Sequence, residues 1–488
     1  MSIVTRPLLF LVPLLHAFAA PPAQVRFATF NTSLYRDSLG ALFVELSNPA
    51  SANVKVKKVA EIIQRAAPDV LLVNEFDWDP QTDSQGRTTV DLFHDHFLAV
   101  SQNGQAALNF AYRYTAKPNT GFSPRDKNED GLITAADTGG VLVDFNNNGQ
   151  KVTTAGTREY GDDCFGFGEF RGKYGMAVYS KFPIQTSAVR TFRRFLWKDI
   201  PGALLPDISS TPAPQDWHDT TELGVFRISS KSHWDVPIDL GGGIIAHFLC
   251  AHPTPPTFDG SEDRNGKRNH DEIRFWADYI DPARSTYHRD DAGNSGGLPV
   301  ATRFVLAGDY NADPSRGESI AGAARQFTGH PFIDNTVVPS ASLFGSASTN
   351  TASFSGGLRV DYVLPSRAGF SIAAAGVFWP PAGHALATLA SEASDHRLVW
   401  IDLRPNPEIA EAVAGLSAAG ENGAVRIAFR ASPGYAYTLQ ETADLILGPW
   451  QPVPGAVVNV AGDFSAAVTV AASAPGFRFF RIAAAFIP

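Results

Sequence analysis

Seven residues able to bind a metal ion or move a proton stand at the ends of apolar runs of strand length. Asn31 follows "VRFATF", Glu75 follows "DVLLV", His252 follows "IIAHFLC", and Asp309 with Asn311 follows "RFVLAG"; Asp395 and His396 precede "RLVWIDL". Singly, each has an ordinary structural explanation: Asn31 capping a turn, Glu75 paired with a lysine, Asp309 opening an Asx-turn. Jointly, three carboxylates, two carboxamides and two imidazoles make a hard-cation oxygen site next to two groups that titrate near neutral pH. A catalytic pocket needs polar groups at strand tips, because ordered backbone positions them while loops admit substrate.

The elements that must position this set are legible as periodicity. The same runs, with "YGMAVYS", "LGVFRIS" and "LRVDYVL", read as strands. Val56, Val59, Ala60, Ile63 and Ala67 recur at helical spacing up to Pro68, and a second helix is expected at "NHDEIRFWADYIDP" with Asn269 as its cap. Strands and helices therefore mix through residues 24–404, an α/β or α+β pattern. After "DLRPNPEIAEAV" charged residues thin out: residues 405–413 read as a linker and 414–488 as a small β-sandwich. That module is expected to contact a cell surface or carbohydrate, or to act as a spacer.

Composition narrows the function. The chain has 488 residues, 44% of them hydrophobic, and a formal net charge of -9. That balance argues against a standing nucleic-acid complex held by bulk charge and leaves nucleic acid open as a substrate. Residues 1–19, with Arg6 before an apolar run and Ala17, Phe18 and Ala19 at its end, have the pattern of a secretory signal, so the protein is expected to be secreted. No later run is long enough to cross a membrane. Of the two cysteines, Cys250 lies inside an apolar run and reads as a buried free thiol, with a bridge to Cys164 as the alternative.

The stretches "ATFN", "LLVNEFD", "CAHPTPP", "AGDYNADP", "RVDYVLP" and "SDHRLVW" occur in the order and approximate spacing of the endonuclease/exonuclease/phosphatase superfamily, and the chain resembles it from Val25 to Leu403. The resemblance implies a four-layer sandwich of two mixed β-sheets flanked by helices, and hydrolysis of a P–O bond that depends on Mg²⁺ or Mn²⁺. It implies Glu75 as principal metal ligand, with Asn31 and Asp395 lining the same site. It further implies Asp309 as the group that orients and deprotonates water, Asn311 on a phosphate oxygen, and His396, steadied by Asp361, as donor to the phosphoryl oxygens. His252 falls where some nucleases place a histidine that helps the leaving group depart. Two departures stand out: Ser33 occupies a position where some relatives have a further carboxylate, and the insertion hides the acidic residue that buttresses the His252 equivalent in nucleases, with Glu159 and Glu169 as candidates.

An insertion at residues 115–172 carries "DKNEDGLITAAD". Asp126, Asn128, Asp130, Gly131 and Asp137 have the oxygen and glycine spacing of a calcium loop, so structural Ca²⁺ is expected. "DFNNNGQ" repeats its first half with Asp144, Asn146 and Asn148; Ala155 stands at the twelfth position, and Asp162 or Asp163 is available to close the loop instead. Lys231, His233, Arg264 and Arg268 offer a phosphate-binding surface, with a solvated loop as the alternative. "FRRFLWKD" reads either as a membrane or base contact or as aromatics buried under a loop. The expected function is thus a secreted metal-dependent phosphoesterase; the alternatives are a DNA or RNA endonuclease of the same fold and an inactive, calcium-stabilised surface-binding protein.

Overall fold

The computed structural model describes residues 22–50, 52–208, 210–212, 215–299 and 301–405, and beyond these 413–421, 424–431, 435–442, 451–454, 456, 458–460, 465–471 and 479–486. The expected export signal and residues 406–412 of the expected linker lie outside the described residues.

Two mixed sheets form the main body. One has the order β10-β11-β1-β2-β4-β3, built from β1 (Val25–Leu34), β2 (Val70–Phe76), β3 (Tyr112–Tyr114), β4 (Met176–Ser180), β10 (Phe370–Val377) and β11 (Val399–Pro405). The other has the order β5-β6-β7-β8-β9, from β5 (Arg190–Thr191), β6 (His233–Asp239), β7 (Ile245–Ala251), β8 (Phe304–Asp309) and β9 (Asp361–Pro365). Each sheet contains one parallel pair, β1 with β2 and β7 with β8. Parallel neighbours require a crossover, and a long helix supplies it in both cases: Val54–Ala66 and Arg264–Tyr279.

Strand alternation produces the layers. Phe27, Leu72, Val236, Phe248, Val305 and Val363 are among the residues of one apolar layer that both sheets share. Their neighbours on the opposite faces pack on helices: Ala28, Phe30, Leu71 and Val73 with Val56, Val59 and Ile63, and Leu249 and Leu306 with Ile273, Phe275 and Trp276. The architecture is the expected four-layer α/β sandwich.

Three expectations are refined. The second long helix starts at Arg264, and Asn269 lies inside it, because its amide is used across the fold, donating to the carbonyls of Thr254 and Tyr310 (2.8 Å each). Phe192, Phe195 and Trp197 are buried in the helix-side core, so "FRRFLWKD" packs the interior. Cys164 and Cys250 are buried and unbonded to each other. At the C-terminus, two small antiparallel sheets run in the orders β12-β13-β17-β16 and β15-β14-β18, from β12 (Val413–Glu421), β13 (Ala424–Ala431), β14 (Tyr435–Thr442), β15 (Gln451–Pro452), β16 (Asn459–Val460), β17 (Ser465–Ala471) and β18 (Phe479–Phe486). Ile427, Leu439, Val453 and Val468 cluster between them.

Candidate active site

The parallel strands β1, β2, β7 and β8 all run toward one end of the sandwich, and the antiparallel β9 and β11 start from it. Chain direction alone therefore brings the tips carrying Asn31, Glu75, His252 and Asp309 to the same edge as Asp361 and the Asp395–His396 pair. Register completes the placement: Asp309 pairs with Asp361 across β8 and β9, and Asn31 with Asn74 across β1 and β2.

Local backbone is bent to reach this arrangement. Ser33, Glu75 and Asn311 have φ of 47°, 54° and 53°, left-handed conformations that cost of order 1–3 kcal/mol each and persist only where surrounding bonds enforce them. The β1–β2 register slips between Asn31 and Leu34, where Ser33 sits. Gly308 explains the glycine before Asp309: a Cβ there would lie 2.0 Å from the Ala251 carbonyl, so only glycine lets β8 approach the end of β7 beside His252.

Asp309 is the hub. Its Oδ2 accepts from Asn31 Nδ2 (2.9 Å) and lies 3.5 Å from His252 Nε2 and 3.6 Å from His396 Nε2. Its Oδ1 accepts the Asn311 backbone N–H (2.9 Å), so the Asx-turn and the site contact are made by one side chain. Asn311 Nδ2 donates to the Pro253 carbonyl (3.2 Å). His396 Nδ1 is 2.9 Å from Asp361 Oδ2, and the Thr351 hydroxyl accepts the N–H groups of Val360 and Asp361. Ser33 stands in for the missing carboxylate as a donor: its hydroxyl bonds Asp395 Oδ1 (3.0 Å), and the Ser394 hydroxyl donates to the Asn31 carbonyl (2.7 Å).

Burial and charge act in opposite directions here. Burial pushes Asp309 up to about 6, against the pull of the His396 charge. Burial also raises Glu75, opposed by His396 and the bond from Asn31. For His396 burial works downward but is outweighed by Asp361 and Asp309, which hold its imidazolium up to about 10. His252 goes the other way: burial, then Lys231 and His396, depress it well below the usual range, so it is a neutral imidazole.

The donor set fits a hard divalent cation. Ligand atoms of Glu75, His252 and Asp309 lie within 4.8 Å of one another, as do those of Asp309, Asp361 and His396. Asp361 Oδ1 and His252 Nδ1 are buried with no hydrogen-bond partner, and carboxylate oxygens dominate the group.

The surface residues divide. Lys231 joins the site: it is buried, its Nζ lies 3.4 Å from the Pro253 carbonyl, and burial lowers it against the charges of Glu272, Glu75 and Asp309. His233 is a correction. It is buried with its ring 5.0 Å from both Phe275 and Trp276, its Nε2 3.0 Å from the Glu272 carbonyl and its Nδ1 on the Ser229 hydroxyl, so no edge is left for substrate. Arg268 is another. Its guanidinium is buried and donates to the carbonyls of Phe165, Arg227 and Ile228, so its donors are spent inside the fold. Arg264 pairs with Glu262 and bonds the Phe258 carbonyl, with no bond to a strand-end residue. Glu169 lies against Lys173 (2.8 Å), and neither it nor Glu159 bonds His252.

Sequence reading missed four supports. Asn74 accepts from Thr29 and donates to the Ala251 carbonyl, spanning the two sheets. Ser394 and Thr351 orient the His396 loop as described. Glu272 accepts the N–H groups of Ser230 and Thr254 at 2.6 Å each, bracing the loops of Lys231 and His252. A glutamate inside a helix whose neighbours Ile273, Phe275 and Trp276 are core residues was the only signal for it.

The profile of the Endonuclease/Exonuclease/phosphatase family matches residues 28–396. No curated protein matches the chain. Among solved structures, an endonuclease/exonuclease/phosphatase from Beutenbergia cavernae is 16% identical, with 95% of this chain and 100% of that one covered and a TM-score of 0.40. A family protein from Leptotrichia buccalis is 13% identical, covering 77% and 98%, with a TM-score of 0.39. Truncated Caenorhabditis elegans TDP2 is 11% identical, covering 78% and 97%, with a TM-score of 0.33. Likenesses of this size say nothing about substrate. The profile match over most of the chain is decisive by itself: this protein belongs to the endonuclease/exonuclease/phosphatase family, whose members hydrolyse phosphoester bonds and generally depend on a divalent metal.

Proposed function

We propose that the protein is a secreted, divalent-metal-dependent phosphoesterase that cleaves a phosphodiester or phosphomonoester by in-line attack of water. The observation that carries this reading is Asp309, one carboxylate held by Asn31 and Asn311 with two imidazoles within 3.6 Å of it. Export is supported by the Arg6-led apolar run ending in small residues at 1–19.

Above about pH 6 Asp309 is ionised and able to take a proton from water, while Asn31 fixes its orientation. His396, charged at neutral pH and steadied by Asp361, donates to a phosphoryl oxygen as negative charge grows there. Asn311 and Lys231 add donors on the same side, and neutral His252 offers an N–H toward the leaving oxygen. Glu75, with Asn31 and Asp395, would hold Mg²⁺ or Mn²⁺, which when bound supplies positive charge against the phosphoryl oxygens.

The test is hydrolysis of plasmid DNA, RNA, sphingomyelin, inositol phosphates and bis(p-nitrophenyl) phosphate with Mg²⁺, Mn²⁺ or a chelator. Activity on at least one ester is expected, abolished by chelation, and reduced to a small residue by Glu75→Gln, which keeps shape and loses ligand charge. Full activity in chelator would refute the reading.

A further inference from the structure

The insertion folds its acidic stretch into a closed loop. Asp126 Oδ2 accepts the Gly131 N–H (2.7 Å), Asn128 accepts Asp130 N–H (2.9 Å), and Asp130 accepts Leu132 N–H (2.8 Å). Asp137 closes it, accepting the N–H groups of Lys127 (2.9 Å) and Thr134 (2.8 Å). Gly131 makes the sharp turn at φ 86°. The informative atom is Asp126 Oδ1: Asp126 is only 2% exposed, and this oxygen is buried with no partner, although its twin is bonded inside the loop. A buried carboxylate oxygen without a donor is costly unless a cation meets it.

The second acidic stretch gives the comparison. Gly149 N–H bonds Asp144 Oδ2 (2.7 Å), and Asp163, rather than Asp162, takes the closing place by accepting the N–H groups of Phe145 (3.1 Å) and Val152 (2.8 Å). There, however, Asp144 Oδ1 is occupied by the Asn148 N–H (2.9 Å). The unpartnered oxygen belongs to the first loop.

We propose that residues 126–137 bind one Ca²⁺, through side-chain oxygens of Asp126, Asn128, Asp130 and Asp137 with the Leu132 carbonyl, and that this ion orders the wall of the active site carrying Lys231. A mixed set of carboxylates, a carboxamide and a backbone carbonyl on a loop suits calcium, whereas magnesium prefers one or two carboxylates and keeps its waters. The link to the wall is continuous. Glu129, at φ 54°, pairs with Arg193 (2.5 Å) and Arg227 (2.7 Å). Arg227 donates to Asn119 Oδ1 (2.8 Å), and the Asn119 N–H donates to the Lys231 carbonyl (2.7 Å). Fixing the loop thus fixes Glu129, and through it the backbone that carries Lys231.

The experiment uses the full chain, freed of metal by chelation and returned to millimolar Mg²⁺, titrated with CaCl2 in a calorimeter. One Ca²⁺ per chain is expected, with a Kd of about 1 mM or tighter, together with a raised melting midpoint. Asp126→Asn should weaken binding at least about tenfold, since ligand charge sets calcium affinity. Hydrogen exchange reads the link: calcium should slow exchange of the Asn119 amide in the wild-type chain but not in Glu129→Gln, which keeps every proposed ligand. Absence of both heat and a midpoint shift in the wild type overturns the site, whether or not the variants fold. Undiminished binding by Asp126→Asn overturns its location, and calcium-independent exchange at Asn119 overturns the link. Neither readout involves turnover, so failure of the hydrolase reading and failure of the calcium site are told apart.

Discussion

Glu272→Gln is the sharpest perturbation of the site that touches no reacting group. Its two oxygens, 1% exposed as a residue, each accept one backbone N–H at 2.6 Å, from Ser230 and from Thr254. Only a carboxylate offers two acceptors at once; glutamine keeps one and turns an amide N–H toward the other backbone N–H. The loss is one charge-assisted hydrogen bond plus a buried donor left unpaired, together roughly 2.5–6 kcal/mol from contributions of about 1.5–3 and 1–3. The displaced segments are those of Lys231, next to Ser230, and of His252, whose carbonyl accepts the Ser230 hydroxyl (3.2 Å). A shift of about 1 Å at such groups costs on the order of 10²-fold in rate. Urea unfolding followed by tryptophan fluorescence, with turnover measured on the same sample well below the midpoint, checks both numbers. A variant within about 0.5 kcal/mol of wild type would refute the bonding argument. One that is destabilised yet fully active would refute the claim that this brace positions the site.

Three further outcomes follow from the same geometry. Asp309→Asn and His396→Ala should each lower turnover by at least about 10²-fold, the scale of a lost base or oxyanion donor; an early-melting variant with normal kcat would mark a structural residue instead. Burial depresses His233 to about 3 and His288 to about 4, below the 6.5 of a free imidazole. Their folded values lie below the unfolded one, so stability is complete above pH 6.5 and falls as pH drops toward 3. Each contributes up to about 1.4 kcal/mol per pH unit, roughly 3 kcal/mol for both between pH 6.5 and 5. Titration of either ring by NMR with a midpoint near 6.5 in the folded protein would mean that it is not held neutral. A chain ended after Pro405 should keep its activity on a small soluble ester, because every strand-end residue precedes it; a folded but inactive truncation would show that the C-terminal sheets complete the site.

The amino-acid sequence by itself determined which residue types lie at the working edge. An apolar run that stops at Asn31, Glu75, His252 or Asp309 reports a buried strand and its tip, and the strand order only has to bring the tips together. The glycine of "AGDYNADP" was visible in the same way, though its reason, the Ala251 carbonyl 2.0 Å from where a Cβ would sit, belongs to the packed sheets. Tertiary structure decided what each polar side chain does. His233 and Arg268 have the same chemistry as surface ligands, yet they satisfy a carbonyl and hydroxyl, or three carbonyls, inside the fold, while Lys231 two residues from His233 lies against the Pro253 carbonyl, within the field of Glu75 and Asp309. Ser33 looks like a lost ligand until Asp395, 362 positions away, is found on its hydroxyl. Asp163 closes the second acidic loop and Glu272 braces two others through bonds that no local spacing encodes. The physical reason is common to all of them: periodicity reports burial, whereas a polar group's role is set by whichever buried donor or acceptor its distant neighbours leave unpaired.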